Sequence, residues 1–166
     1  MKSLKGSKRG SLEDAVLIGL FLAVIAIFAY PLVNSFSLIN ADIQANPDIA
    51  DDAKGISSDF NTDLPNILEG IFLLLLVGGY LGTFILAFFI DTQPAFFVIA
   101  AIFMTSMVLV LPMVANAYDS VTNGQFSEVT TQFTIIPFVM QNYLQITLVM
   151  WALIILGIYA KRAAFK

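Results

Sequence analysis

The side chains that could do chemistry in this sequence are mainly carboxylates, because the chain has no His and no Cys. Lack of His removes the commonest general base, and lack of Cys removes disulfides and thiolate metal sites. No charged residue lies at the centre of a long apolar run, and Glu69, just before one of them, is the nearest case. A charge inside a membrane usually marks function, such as proton or ion coupling. We favour another interpretation, in which Glu69 lies in the first turn of a helix at the wet membrane surface, beside the positive end of the helix dipole.

Asp91 is the second candidate, in the short turn Asp91-Thr92-Gln93-Pro94. A lone carboxylate without a His partner is a poor catalyst, so a turn role is favoured, with Pro94 in the first turn of the next helix. The sequence has no phosphate-binding loop, dinucleotide fingerprint or metal-ligand cluster. It therefore predicts a protein that is not an enzyme, with no catalytic residue, cofactor or metal, and with no specific nucleic-acid partner.

The elements that carry these residues are apolar runs in a chain of 166 residues, 58% of them hydrophobic and 12% charged. A soluble domain has about 25% charged residues. A bilayer core about 30 Å thick is crossed by about 20 apolar residues in a helix. Runs at 15–33, 71–90, 95–115 and 143–160 therefore predict an all-α, four-transmembrane-helix bundle, a single membrane domain over 1–166. The first run could instead be a cleaved signal peptide, but its length favours a retained span.

The orientation follows from the eight Lys and Arg residues. Basic residues concentrate in the cytoplasmic parts of membrane proteins. All but Lys54 lie before the first run or after the fourth, which places both termini in the cytoplasm and 34–66 and 116–136 on the far side. The basic ends are candidate contacts with the membrane surface or a partner, although lipid attraction and topology alone would explain them. They consist of Lys2, Lys5, Lys8, Arg9, Lys161, Arg162 and Lys166.

The far-side segment 34–66 has apolar residues at three- and four-residue steps, such as Ile39 and Ile43, then Ile56 and Phe60. This spacing predicts two short amphipathic helices, broken near Pro47, that lie on the membrane surface or cap the bundle. A disordered acidic loop is the alternative. Between Val129 and Asn142 we expect a partly inserted lead into the fourth span, with a kink or a helix start at Pro137.

Gly78 and Gly82 form a pair of small residues one helical turn apart in the second span. Such pairs let two helices approach closely in lipid. The pair predicts a helix-packing face, and the pattern leaves open whether the facing helix belongs to the same chain.

Three short stretches carry a resemblance: Lys8-Arg9-Gly10-Ser11-Leu12-Glu13-Asp14 before the first span, the hairpin from Phe84 to Phe97, and Asn116-Ala117-Tyr118 after the third. The chain resembles small four-span membrane proteins of bacterial and archaeal viruses that contain a lipid layer. The resemblance implies a structural protein of a virion membrane without catalytic residues. The segment 34–66 has no counterpart in it.

The leading functional hypothesis is a non-enzymatic structural or assembly protein, located in the host cytoplasmic membrane and in a virion membrane. Its expected partners are the lipid bilayer, a capsid or other membrane proteins, and further copies or chains in an oligomer. A lysis protein of the holin kind is one alternative, although holins are usually shorter. An accessory subunit of a transporter or enzyme complex is the other.

Overall fold

The structure is a computed structural model and describes residues 10–87 and 95–164. These residues form helices joined by short turns and contain no strand, which confirms the all-α prediction. In chain order the helices are α1 (Gly10–Ala45), α2 (Asp51–Ala87), α3 (Ala95–Thr122), α4 (Ser127–Thr130), α5 (Ile135–Gln141) and α6 (Tyr143–Ala164).

Apolar length identifies membrane-crossing candidates among these helices. Two of the described helices, over 17–45 and 51–85, are long and apolar enough to cross a bilayer, and the bent pair α5 and α6 makes a third if it counts as one span. The chain is thus a candidate integral membrane protein. The predicted run 95–115 lies within α3. The count of four spans and the cytoplasmic position of the termini remain predictions.

The segment 34–66 differs from the prediction of two separate short helices. The break near Pro47 is present, but α1 continues unbroken from the first apolar run to Ala45, and α2 starts at Asp51 and continues into the second run. No Gly or Pro lies between Asn34 and Ala45 to end α1. From Val33 to Ala45 the helix rises about 18 Å, at about 1.5 Å per residue. We call the paired helix ends over 34–66 the stalk.

The stalk is an antiparallel pair held by contacts along its length. The rings of Phe36 and Phe60 pack edge-on with centroids 4.7 Å apart. The Ser57 hydroxyl donates to Asn40 Oδ1 at 2.8 Å, and Gln44 Nε2 donates to the Lys54 carbonyl at 2.8 Å. Together these contacts set one register along the length of the stalk.

The lead into α6 is a separate short helix rather than a straight extension. Between α5 and α6 the chain bends by 76° at Asn142. Pro137 lies in the first turn of α5, where its missing N–H breaks no helical hydrogen bond. The prediction that Pro137 kinks or begins a helix is therefore confirmed.

The core forms where α3, α5 and α6 pack against the α1–α2 hairpin. Small side chains of α1, such as Ala23, Ala26 and Ala29, are buried there and let the neighbouring helices approach. Trp151 of α6 is also buried.

Candidate functional site

Among the acids whose side chains the structure describes, Glu69 is the buried one, and its position corrects the sequence-based interpretation. It lies well inside α2 rather than in a first turn, and only 7% of it is exposed, so it does not stay in water. Its Oε1 accepts backbone N–H groups from Thr134 at 2.5 Å, from Ile135, and from Ile136 at 3.1 Å. These amides start α5, where the first N–H groups of a helix have no partner within it.

The carboxylate of Glu69 therefore caps another helix from across the bundle. A negative group is favourable at this end because the amide dipoles point their positive ends toward it. In a buried site such charge-assisted bonds are stronger than neutral ones. The consequence is that α2 fixes where α5 begins and hence where the bend before α6 falls.

A tyrosine pair lies near this cap. The hydroxyls of Tyr30 in α1 and Tyr118 in α3 hydrogen-bond to each other, and both side chains are at most 2% exposed. The Tyr30 ring also packs on Phe133, with centroids 4.8 Å apart. Through these contacts α1, α3 and the segment before α5 meet in one polar layer close to Glu69.

A second polar layer lies toward the C-terminal end of α2. Tyr80 and Thr147 bring their hydroxyl oxygens within 3.4 Å of each other across α2 and α6. Tyr143 is 1% exposed, and its hydroxyl has no hydrogen-bond partner among the described residues. A Cβ added at Gly19 would come within 3.0 Å of the Tyr143 hydroxyl and 3.8 Å of the Tyr80 hydroxyl. Glycine at this position therefore makes room for two tyrosines beside α1.

A cavity opens beside the stalk, near the middle of α2, where Glu69 lies. Its volume is about 370 Å³, and Asn61, Thr62, Pro65, Asn66 and Gln132 line it. Buried Asn61 Oδ1 has no hydrogen-bond partner in the described part of the chain. Beside the apolar ring of Pro65, the lining consists of amides and a hydroxyl rather than of ionisable groups, and it offers hydrogen bonds to a small polar molecule or to water.

The glycines that were predicted to pack lie on an open surface of this chain. Among the described residues, a Cβ added at Gly78 or Gly82 would meet no atom within 4 Å, whereas one at Gly79 would lie 2.7 Å from Ile18 Cγ2. Close packing inside the chain therefore occurs at Gly79. The helix-packing role of Gly78 and Gly82 remains a prediction.

Several predicted residues cannot be placed. Lys2, Lys5, Lys8, Arg9 and Lys166 lie outside the described residues, as do Asp91 and Pro94. Lys161 and Arg162 belong to the last turn of α6, with no description of their side chains. In the described ranges, no group of three or more acids could hold a metal ion.

The tyrosines are the contributors that sequence reasoning missed. Four of the five tyrosines are buried, and each lies in or beside an apolar run. A buried tyrosine usually finds a partner for its hydroxyl. Their repeated placement was thus a usable signal for interhelical hydrogen bonds, although it does not say which tyrosine meets which group.

Comparison with known proteins gives the chain no relatives. It matches no protein-family model, no curated protein and no solved structure.

Proposed function

We propose that this protein is a non-enzymatic structural protein of a lipid membrane, which anchors a helical stalk on the far side. The resemblance drawn from its short motifs makes a virion membrane the proposed location. Four spans with both ends in the cytoplasm complete the proposal, because α1 and α2 cross in opposite directions and the basic residues cluster at the two ends.

The observation that carries this proposal is how the buried polar groups are used. Glu69 is occupied by three amides of another helix, and the hydroxyls of Tyr30 and Tyr118 bond each other. Polar groups engaged in this way fix one arrangement of helices. A membrane scaffold requires such a fixed arrangement, since it must hold the stalk at a set position.

The expected partners at the cytoplasmic face are anionic lipid and a capsid. Each basic residue near an anionic membrane contributes about 1 kcal/mol of attraction. In a virion whose vesicle formed by budding into the cytoplasm, both termini would point at the shell and the stalk would point into the lumen. The basic residues involved are Lys2, Lys5, Lys8, Arg9, Lys161, Arg162 and Lys166.

Intact lipid-containing particles give the direct test. An amine-reactive crosslinker should join the terminal lysines to a capsid protein, while Lys54 in the stalk should be protected from a membrane-impermeant amine reagent. Labelling of Lys54 together with unreactive termini would reverse the orientation. Failure to find the protein in the membrane of any such particle would remove the viral part of the proposal.

A second candidate function, an ion- or proton-coupled subunit of a transporter, is favoured by Glu69 itself. A buried acid beside the start of a broken helix is an arrangement found at transporter ion sites. In proteoliposomes with a pH-sensitive dye inside, this function predicts a proton flux that Glu69→Gln abolishes. A purely structural protein gives no flux with either version.

A holin-like lysis protein is the remaining alternative. Expression alone separates it from a scaffold, because a holin kills the host cell at a set time. Continued growth of expressing cells, with the protein in the membrane fraction, would support the structural function.

A further inference from the structure

The stalk leaves an apolar face uncovered beyond the membrane span. Ile39, Ile56 and Phe60 are 52%, 72% and 44% exposed, and Ile43 is partly exposed. We call these four residues the stalk face. The face begins about two helical turns after Val33, where the apolar run 15–33 of α1 ends.

The four residues lie on the same side of the two helices. An antiparallel pair has an approximate two-fold axis perpendicular to it, and Asn40 and Ser57, which hydrogen-bond across the pair, are equivalent positions. Asn40 and Ser57 face each other across the pair. Ile39 lies one residue before Asn40, and Ile43 lies three residues after it. Ile56 and Phe60 have the same spacing around Ser57. Equivalent positions of such a pair share a side, so the face is continuous across both helices.

The rest of the chain packs on the opposite side. At about 100° per residue, Tyr30 of α1 and Glu69 of α2 point away from the stalk face. Tyr30 contacts Tyr118 and Phe133, and Glu69 contacts the start of α5. Among the described residues nothing therefore covers the stalk face, and another molecule must do so if it is covered.

Acidic residues border this face. Asp42 follows Ile39 by three residues, and on α2 Asp52 and Asp59 lie within one turn of Ile56, with Asp63 a turn further; all four are exposed. The segment 34–66 has six Asp residues and one Lys, a net charge of −5. A second copy would bring an equal charge against it, and like charges facing each other are destabilising. The lipid interior is also an unsuitable occupant of the stalk face, because it would have to accommodate the same bordering carboxylates.

From this pattern we propose that the stalk face binds a cationic amphipathic helix of a partner protein. The apolar side of that helix would cover the isoleucines and Phe60, and its Lys or Arg residues would pair with the bordering carboxylates. An amphipathic helix laid on an apolar surface is a recurring mode of recognition. The proposal deepens the proposed function, on which it rests for a stalk that stands outside the membrane.

The test uses the full chain in nanodiscs of neutral phosphatidylcholine and a short fluorescent peptide of Leu and Lys with helical amphipathic spacing. Empty nanodiscs measure binding to lipid, and the same peptide with Glu in place of Lys tests the charge. Fluorescence anisotropy should show saturable binding of the Lys peptide alone, and added salt should weaken it because salt screens exposed charges.

Variants then locate the site. Ile39→Asn combined with Ile56→Asn should weaken binding at least about tenfold, the change in Kd that 1.4 kcal/mol produces. Leu38→Asn is the matched control, because Leu38 is 63% exposed on the same helix. At about 100° per residue, its position two residues before Asn40 places it on the side of α1 away from α2. These side chains are exposed, so the variants should keep wild-type thermal stability. Equal weakening by Leu38→Asn, or equal binding of the Glu peptide, would overturn the proposal.

A second copy of the chain and the membrane are the two other possible occupants of the stalk face, and each would give a different spin-label result. A spin label on Ile56→Cys, which the lack of native Cys makes specific, should show neither contact with a second label nor exposure to lipid-soluble oxygen. Dipolar broadening would identify a second copy as the occupant, and oxygen exposure would identify the membrane; either overturns the proposal. Failure of the capsid crosslink would refute the proposed function while leaving peptide binding intact, so the two failures are distinguishable.

Discussion

One oxygen of Glu69 accepts three amide hydrogens at the start of α5, so a single side chain holds this helix in place. Glu69→Ala should lower the free energy of unfolding by about 1 to 3 kcal/mol, since it leaves the buried amide of Ile136 without an acceptor and weakens two part-buried ones. Glu69→Gln keeps an acceptor and should cost less. Thermal unfolding in detergent, with hydrogen exchange at residues 134–136, measures both.

Glu128→Gln is the matched control, because Glu128 is an exposed acid in the same part of the chain and makes no side-chain bond to α5. It should leave both stability and exchange unchanged. Wild-type protection of the three amides in Glu69→Ala would contradict the capping role.

The Tyr30–Tyr118 pair predicts coupled effects. Tyr30→Phe and Tyr118→Phe each leave one buried hydroxyl without its partner, at a cost of about 1 to 3 kcal/mol. The double variant removes both groups and should cost less than the sum of the single variants. A double-mutant cycle on unfolding in detergent gives the coupling, and strictly additive losses would show that the hydroxyls do not interact.

The surroundings of Gly79 and Gly78 on α2 predict different effects on stability when a larger side chain replaces the glycine. Gly79→Leu must displace Ile18 and should cost about 1 to 3 kcal/mol, the usual range for overpacking. Gly78→Leu enters open space and should be neutral for the isolated chain in detergent. Thermal stability checks both. Equal stability of Gly79→Leu and wild type would contradict the packing, and destabilisation by Gly78→Leu would show that a helix packs against Gly78.

At the level of elements, the stalk is a packed pair of helices rather than two helices spread on the membrane. Asn40→Cys together with Ser57→Cys should crosslink with a short bifunctional thiol-reactive reagent, because the native side chains hydrogen-bond at 2.8 Å. Leu38→Cys together with Ser57→Cys should not, because Leu38 points away from α2. Gel mobility after proteolysis between the two sites reads out the bond. Crosslinking of both pairs alike would indicate a loose stalk.

For the whole molecule, the charge distribution predicts the topology. Reporter fusions at residues 50 and 125 should give far-side signals, and a fusion at residue 166 should give a cytoplasmic signal, because basic residues cluster at the ends. A cytoplasmic signal from residue 50 would overturn the orientation and place the stalk on the other side.

What the sequence determined by itself is what depends on local composition. Long uncharged runs require helices in lipid, and the break near Pro47 and the start of α5 around Pro137 follow from how proline restricts the backbone. Even the apolar spacing of the stalk was visible. The prediction missed that the stalk is continuous with α1 and α2. It took polar residues as the end of a helix, although a helix can continue through them outside lipid.

The tertiary structure alone decided which polar groups meet. Glu69 and the amides that it binds are 65 to 67 positions apart, and Tyr30 and Tyr118 are 88 apart. Helices that are apolar on every side carry no periodic signal for the side that faces a neighbour, so neither the burial of Glu69 nor the choice of Gly79 over Gly78 could be derived from spacing. Those outcomes depend on how four long helices fit together, because only that fit determines which polar atoms lose water and which ones replace it.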